Sequence, residues 1–147
     1  MNEAEVLGTA LNLEKKGFTF YSEAEKKTEN RTGKKMFAQL AREEEDHIRD
    51  IKNMFKNLYP QRSEVDIPVF DEDISEYSGE VEALRIGIEM EKKSIEFYTD
   101  WAEGNLGTLF KRLIEIEKSH LELLEAELDY VKRTGFWFDY FESSLED

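Results

Sequence analysis

The chain has 147 residues, enough to bury a core in one domain, and its 39% hydrophobic and 12% aromatic content is too apolar for a disordered chain despite 37% charged side chains. A net charge of −14 argues against nucleic acid or an anionic membrane as partner, because like charges repel. With no cysteine, the chain builds no disulfide, zinc knuckle or iron–sulfur cluster of its own.

The opening "MNEAEVLGTA" has neither the basic nor the apolar segment of a secretory signal, and no apolar run reaches membrane-spanning length. The expectation is a cytoplasmic protein. Asn2 followed by Glu5 has the spacing of a capping box and starts a first helix that runs to about residue 28. A second helix is predicted from Thr32 to Leu58. Both prolines, Pro60 and Pro68, then fall in one stretch, "YPQRSEVDIPVFDEDISEYSGE". A third helix is predicted from Gly79 to Glu103 and a fourth from Leu106 to Arg133, with Gly135 as its C-terminal stop.

Short turns join the first helix to the second and the third to the fourth, so each pair is expected to be antiparallel. The connection between the pairs, some twenty residues at about 3.3 Å each, can cross a helix of about 40 Å. Two hairpins joined by one long crossover give an all-α, ferritin-like four-helix bundle over residues 1–133. An internal repeat supports it: "LNLEKKGFTFY" (11–21) aligns with "IEMEKKSIEFY" (88–98), and "MFAQLAREEEDHI" (36–48) with "LFKRLIEIEKSHL" (109–121). The second hairpin reads as a degenerate copy of the first, with a tighter turn.

Each helix carries an apolar stripe interrupted near its middle by ionisable residues. The first has Leu7, Ala10, Leu11, Phe18 and Tyr21 with Glu14 among them. The second has Phe37, Leu40, Ala41, Ile48, Ile51, Phe55 and Leu58, and Glu44 and His47 fill its gap. The third has Leu84, Ile88, Ile95 and Tyr98 around Glu91, and the fourth has Phe110, Leu113, Leu121, Leu124 and Leu128 around Glu117 and His120. A buried carboxylate costs several kcal/mol unless it is paired, hydrogen-bonded or bound to metal. Four acids converging at one level repel one another unless a cation lies between them.

One Glu from each of two helices and a Glu-x-x-His from each of the others supply four carboxylates and two imidazoles. Residues three apart share a helix face, so each Glu-x-x-His presents both groups to one site. The expected metal ligands are Glu14, Glu44, His47, Glu91, Glu117 and His120. Carboxylates bridge paired divalent ions, and this oxygen-rich set suits two iron ions, with manganese or a mixed pair as the alternative.

These residues resemble the rubrerythrin branch of the ferritin-like di-iron carboxylate proteins, across about residues 3–133. The resemblance rests on Glu14, Glu44-x-x-His47, Glu91, Glu117-x-x-His120 and the "E…FY" segments of the first and third helices. It implies a di-iron oxidoreductase reducing hydrogen peroxide or dioxygen, and it implies a homodimer. Rubrerythrins proper also carry a rubredoxin-like domain and an additional carboxylate one turn after the third-helix ligand. This chain has no cysteines for the first, so electrons are expected from a separate donor such as a rubredoxin. At the second position it has Ser94, matched in the repeat by Gly17, which leaves a symmetric six-ligand set.

Gly17 and Ser94 either leave room for oxygen or peroxide or permit close helix packing. Tyr21 and Tyr98, seven residues after Glu14 and Glu91, are expected to hydrogen-bond and orient ligand carboxylates, the alternative being core tyrosines satisfied elsewhere. Glu43 is the neighbouring acid best placed to steer a ligand histidine. Its repeat counterpart is Ile116, so two bound metals need not be equivalent. Glu45, Asp46, Glu89 and Glu115 read as solvated-face residues.

Residues 134–147 form a tail in which Phe136, Trp137, Phe138, Tyr140 and Phe141 are too apolar for water. It is expected to pack on the bundle or a second subunit, the alternative being electron transfer or docking of a redox partner. The leading expectation for function is peroxide or dioxygen reduction in oxidative-stress protection. The rivals are a ferroxidase or iron-handling protein and a non-catalytic metal-binding protein.

Overall fold

The structure, a computed structural model, describes residues 1–63 and 79–137. The predicted crossover therefore lies largely outside the described residues, as do residues 138–147 of the tail. Among the described residues there are four long helices: α1 (Glu3–Lys27), α2 (Arg31–Leu58), α3 (Glu80–Trp101) and α4 (Gly107–Thr134). No described helix is long and apolar enough to cross a membrane.

Helix α1 starts as its sequence requires. Asn2 Oδ1 accepts from the Glu5 amide at 2.8 Å, and Glu5 Oε1 accepts from the Asn2 amide, closing the capping box. Asn30 opens α2 with its side chain on the Gly33 amide at 3.0 Å. Gly135 ends α4 in the left-handed region at φ 77°, where a side chain would be strained. One expectation is reversed: the α3–α4 connection is the longer turn. Helix α3 stops at Trp101, and a 3-10 turn, Gly104–Leu106, intervenes before α4, whereas α1 and α2 are separated only by residues 28–30.

Helix α1 packs on α2, α3 on α4, and α1 also against α3. Helices α2 and α4 meet through an ion pair between Arg112 and Asp50 at 2.9 Å. The apolar core is divided in two. One cluster contains Leu7, Leu11, Ile51, Phe55, Tyr98, Phe110 and Leu113; the other contains Phe20, Tyr21, Met36, Phe37, Leu40, Leu84, Leu124 and Trp137. A layer of buried polar groups lies between them.

The stripes differ from expectation in detail. Phe20 rather than Phe18 is fully buried on α1, and Ile95, Leu121 and Leu128 are only half-buried. On α4 the inward row instead runs through Glu117, His120, Leu124 and Glu127. Of the aromatic tail, Phe136 is exposed and Trp137 is buried. The Trp137 ring packs edge-on against Phe37 with centroids 6.0 Å apart, and its Nε1 donates to Glu80 Oε2 at 2.7 Å.

Candidate metal centre

The polar layer is built from the middle of all four helices. Glu14, Glu44, His47, Glu91, Glu117 and His120 are all buried, at 1–3% exposure. They form two groups of four whose ligand-type atoms lie within 4.8 Å of one another: Glu14, Glu44, His47 and Glu117, and Glu44, Glu91, Glu117 and His120. Glu44 and Glu117 belong to both groups. The Glu-x-x-His helices thus supply the two shared carboxylates, while α1 and α3 each supply an acid that belongs to one group only. The two imidazoles face each other nearly parallel, 6.1 Å between centroids at 19°.

Each histidine turns Nδ1 toward the carboxylates. His47 Nδ1 lies 2.9 Å from Glu117 Oε1 and 3.3 Å from Glu14 Oε2. His120 Nδ1 lies 3.5 Å from Glu44 and Glu91 and 3.6 Å from Glu117. These distances do not add up to a satisfied network. Glu44 Oε1, Glu91 Oε2, Glu117 Oε1 and His120 Nδ1 are buried without a hydrogen bond, an arrangement that costs about 1–3 kcal/mol per group.

Two tyrosines close the layer from opposite ends. Tyr21 donates its hydroxyl to Glu91 Oε1 at 2.6 Å, and Tyr98 donates to Glu14 Oε1 at 2.5 Å. The pairing is crossed: each tyrosine serves the glutamate of the other helix. Burial first, and then the surrounding carboxylates, push both phenols well above their ordinary range, so they are donors at all physiological pH.

The charges show what the site lacks. Burial and the nearby Glu14 and Glu117 raise the Glu44 carboxyl well above the usual range. Burial alone would lower both imidazoliums, but Glu117 and Glu14 outweigh it and hold His47 at about 9. Glu117, Glu43 and Glu44 do the same for His120, at about 12. Glu117 is pulled below the carboxylate range by the two histidines, against the opposing effect of its burial. Protons on His47, His120 and Glu44 thus offset the acids in this arrangement. Cations can take over that task, and the orphaned oxygens and nitrogen supply free lone pairs for them; the donor set fits a pair of divalent ions.

Around the layer, Glu43 is half-exposed and places Oε2 3.0 Å from His120 Nε2. Burial opposes its ionisation, but the hydrogen bond to His120 dominates and lowers its carboxyl. Glu45, Asp46, Glu89 and Glu115 are exposed. Ser94 is buried. The space at Gly17 is taken by Glu44 itself, since a Cβ there would lie 3.2 Å from Glu44 Oε2 and 3.3 Å from its Cδ. Sequence reasoning missed Glu127, a fifth fully buried glutamate among the described residues, which belongs to neither group. Its counterpart in the repeat is Met54, so no symmetry pointed to it.

A bundle of two helical hairpins enclosing buried carboxylates and imidazoles at mid-length defines the ferritin-like carboxylate class. The rubrerythrin family profile matches residues 5–128, nearly the whole described bundle, and the chain belongs to the rubrerythrin family, whose members bind di-iron. A solved structure described as a hypothetical protein from Pyrococcus furiosus superposes with a TM-score of 0.79 at 20% identity. The match covers 90% of this chain and 92% of that one, and it supports the fold alone. No curated protein matches the chain.

Proposed function

We propose that the chain is a cytoplasmic non-haem di-iron oxidoreductase that reduces hydrogen peroxide or dioxygen with electrons from a separate donor protein, protecting against oxidative stress. The observation that carries this reading is the pair of four-residue groups sharing Glu44 and Glu117. In it, Glu14 and His47 hold one ion, Glu91 and His120 the other, and Glu44 and Glu117 bridge them. Iron fits the oxygen-rich set, with manganese or a mixed pair as the alternative.

A ferrous pair supplies the two electrons that, with two protons, split the O–O bond of peroxide into two waters. The chain's own residues prepare the place for this. Tyr21 and Tyr98 fix the carboxylates of Glu91 and Glu14 from either end. The two apolar clusters keep bulk water out along the bundle axis. Imidazole nitrogen must be unprotonated to ligate, so His47 and His120 release their extra protons as cations enter.

Each turnover consumes two electrons, and a chain without cysteine has no thiolate iron centre to deliver them. A donor such as a rubredoxin fits that need. Phe136, 72% exposed just beyond α4, supports extending the proposal to a homodimer; sedimentation as a monomer at micromolar concentration contradicts that extension.

The test is to mix anaerobic ferrous protein with peroxide or dioxygen, then to supply reduced rubredoxin. Oxidation followed by steady peroxide consumption supports the reading. A protein that turns over ferrous iron and oxygen but accepts no electrons from a donor is instead a ferroxidase. Ferrous protein inert to both oxidants contradicts either activity.

A further inference from the structure

The twofold repeat makes the two halves of the site nearly alike, and one contact breaks the likeness. His120 has a carboxylate on the ring nitrogen that faces away from the site: Glu43 Oε2 lies 3.0 Å from its Nε2. By the register that matches Glu44 to Glu117 and His47 to His120, the residue equivalent to Glu43 is Ile116. It is a half-buried apolar side chain with no acceptor to offer His47. The contact also spans the hairpins, since Glu43 belongs to α2 and His120 to α4.

A carboxylate on the outer ring nitrogen settles which nitrogen carries the proton. With Nε2–H donated to Glu43, the lone pair of neutral His120 resides on Nδ1, the atom that faces Glu44, Glu91 and Glu117. The same hydrogen bond holds the ring plane and increases the basicity of Nδ1. His47 also directs Nδ1 inward, toward Glu14 and Glu117. A cation there must select the tautomer and orientation without a charged partner at position 116.

Taking the two-ion site proposed above as its basis, we infer that Glu43 is a positioning residue that makes the metal positions unequal. The position built on His120 and Glu91 fills first and holds its ion more tightly than the one built on His47 and Glu14. The Glu43 side chain is 37% exposed, so the partner can be removed without opening the core.

Repulsion between two cations weakens a second binding step even at identical positions, so the test isolates each position. Cobalt(II) serves as probe, with affinity read by calorimetry and the ligand environment by visible absorption. His47→Ala leaves the His120 position and is expected to bind cobalt about 10–100-fold more tightly than His120→Ala. Adding Glu43→Ala removes that difference and changes the cobalt absorption of the His47→Ala protein, while Glu43→Gln, whose amide oxygen still accepts from Nε2–H, restores part of it. Ile116→Glu in the His120→Ala background strengthens binding at the His47 position.

Should the single-histidine variants unfold, as followed by circular dichroism, the natural chain serves with Glu43→Ala alone; its tighter step then weakens about 10–100-fold while the weaker step holds. Equal affinities of the two single-histidine variants, or a difference that persists without Glu43, overturns the inference and leaves a two-ion site standing. Absence of cobalt uptake by the natural chain overturns the two-ion site itself, and the inference with it.

Discussion

Each residue of the centre is defined by its neighbours rather than by its type. In the metal-free chain, His47 and His120 keep their protons to about 9 and about 12, against an ordinary value of 6.5. Both folded values lie above the unfolded one, so their contribution to stability is complete below about pH 6.5. It is lost as pH rises through 9 for His47 and later for His120. Glu44, also raised, loses its contribution in the same direction, whereas that of Glu117, lowered, is lost only as pH falls through its depressed value. The metal-free chain is therefore expected to lose stability between about pH 6.5 and 8.5. Cation binding gains over the same window because fewer protons compete for the imidazoles. The difference in melting temperature between loaded and metal-free protein should widen with pH, and a difference that narrows contradicts the proton-for-metal exchange.

Gly17 illustrates the same dependence. Glycine inside a helix costs about 1 kcal/mol relative to alanine, yet any side chain here meets the Glu44 carboxylate. Gly17→Ala should leave the fold intact while weakening metal binding about tenfold or more, on the scale of losses seen when support of a ligand is disturbed. Unchanged affinity in a metal titration would show that Glu44 has room to move.

The helices themselves were legible in the sequence because each buries a stripe with a 3.6-residue period and is capped by the expected residues. Asn2 with Glu5 and Gly135 sit where the caps require them. Glu14, Glu44, His47, Glu91, Glu117 and His120 were legible because the repeat placed the same interruption on every stripe. Choices within a stripe were less so. Phe18 and Phe20 are equally apolar, and only the packing against α2 and α3 tells which turns inward.

The crossed tyrosine pairing depends on how α1 and α3 lie together, which periodicity does not encode. A tyrosine seven residues on is about 10 Å along its helix, and side chains lean back toward the N-terminus. With α1 and α3 side by side, that lean carries each hydroxyl to the neighbouring helix's glutamate. Trp137 was foreseen only as part of an apolar tail. Its docking on Phe37 and Glu80 fastens the end of α4 to the starts of α2 and α3. Trp137→Ala should cost about 3 kcal/mol by chemical denaturation, near the lower end for a large buried aromatic. Trp137→Phe should recover most of that, lacking only the bond to Glu80. A loss under about 0.5 kcal/mol, the range of ordinary surface substitutions, would mean that the contact does not anchor the helix.

At the scale of the whole molecule, two apolar clusters hold the bundle from its ends and a strained acidic layer separates them. The stability left unused in that layer becomes available when cations bind. Metal present at about a thousandfold excess over its dissociation constant should stabilise the fold by about 4 kcal/mol per independent ion, seen as a rise in melting temperature. The most direct measurement of the central claim is metal content after anaerobic reconstitution with ferrous iron and removal of the excess. Two irons per chain are expected, falling to one or none in Glu44→Ala and Glu117→Ala and staying at two in Glu45→Ala. Fewer than one iron per chain in the natural protein would contradict it.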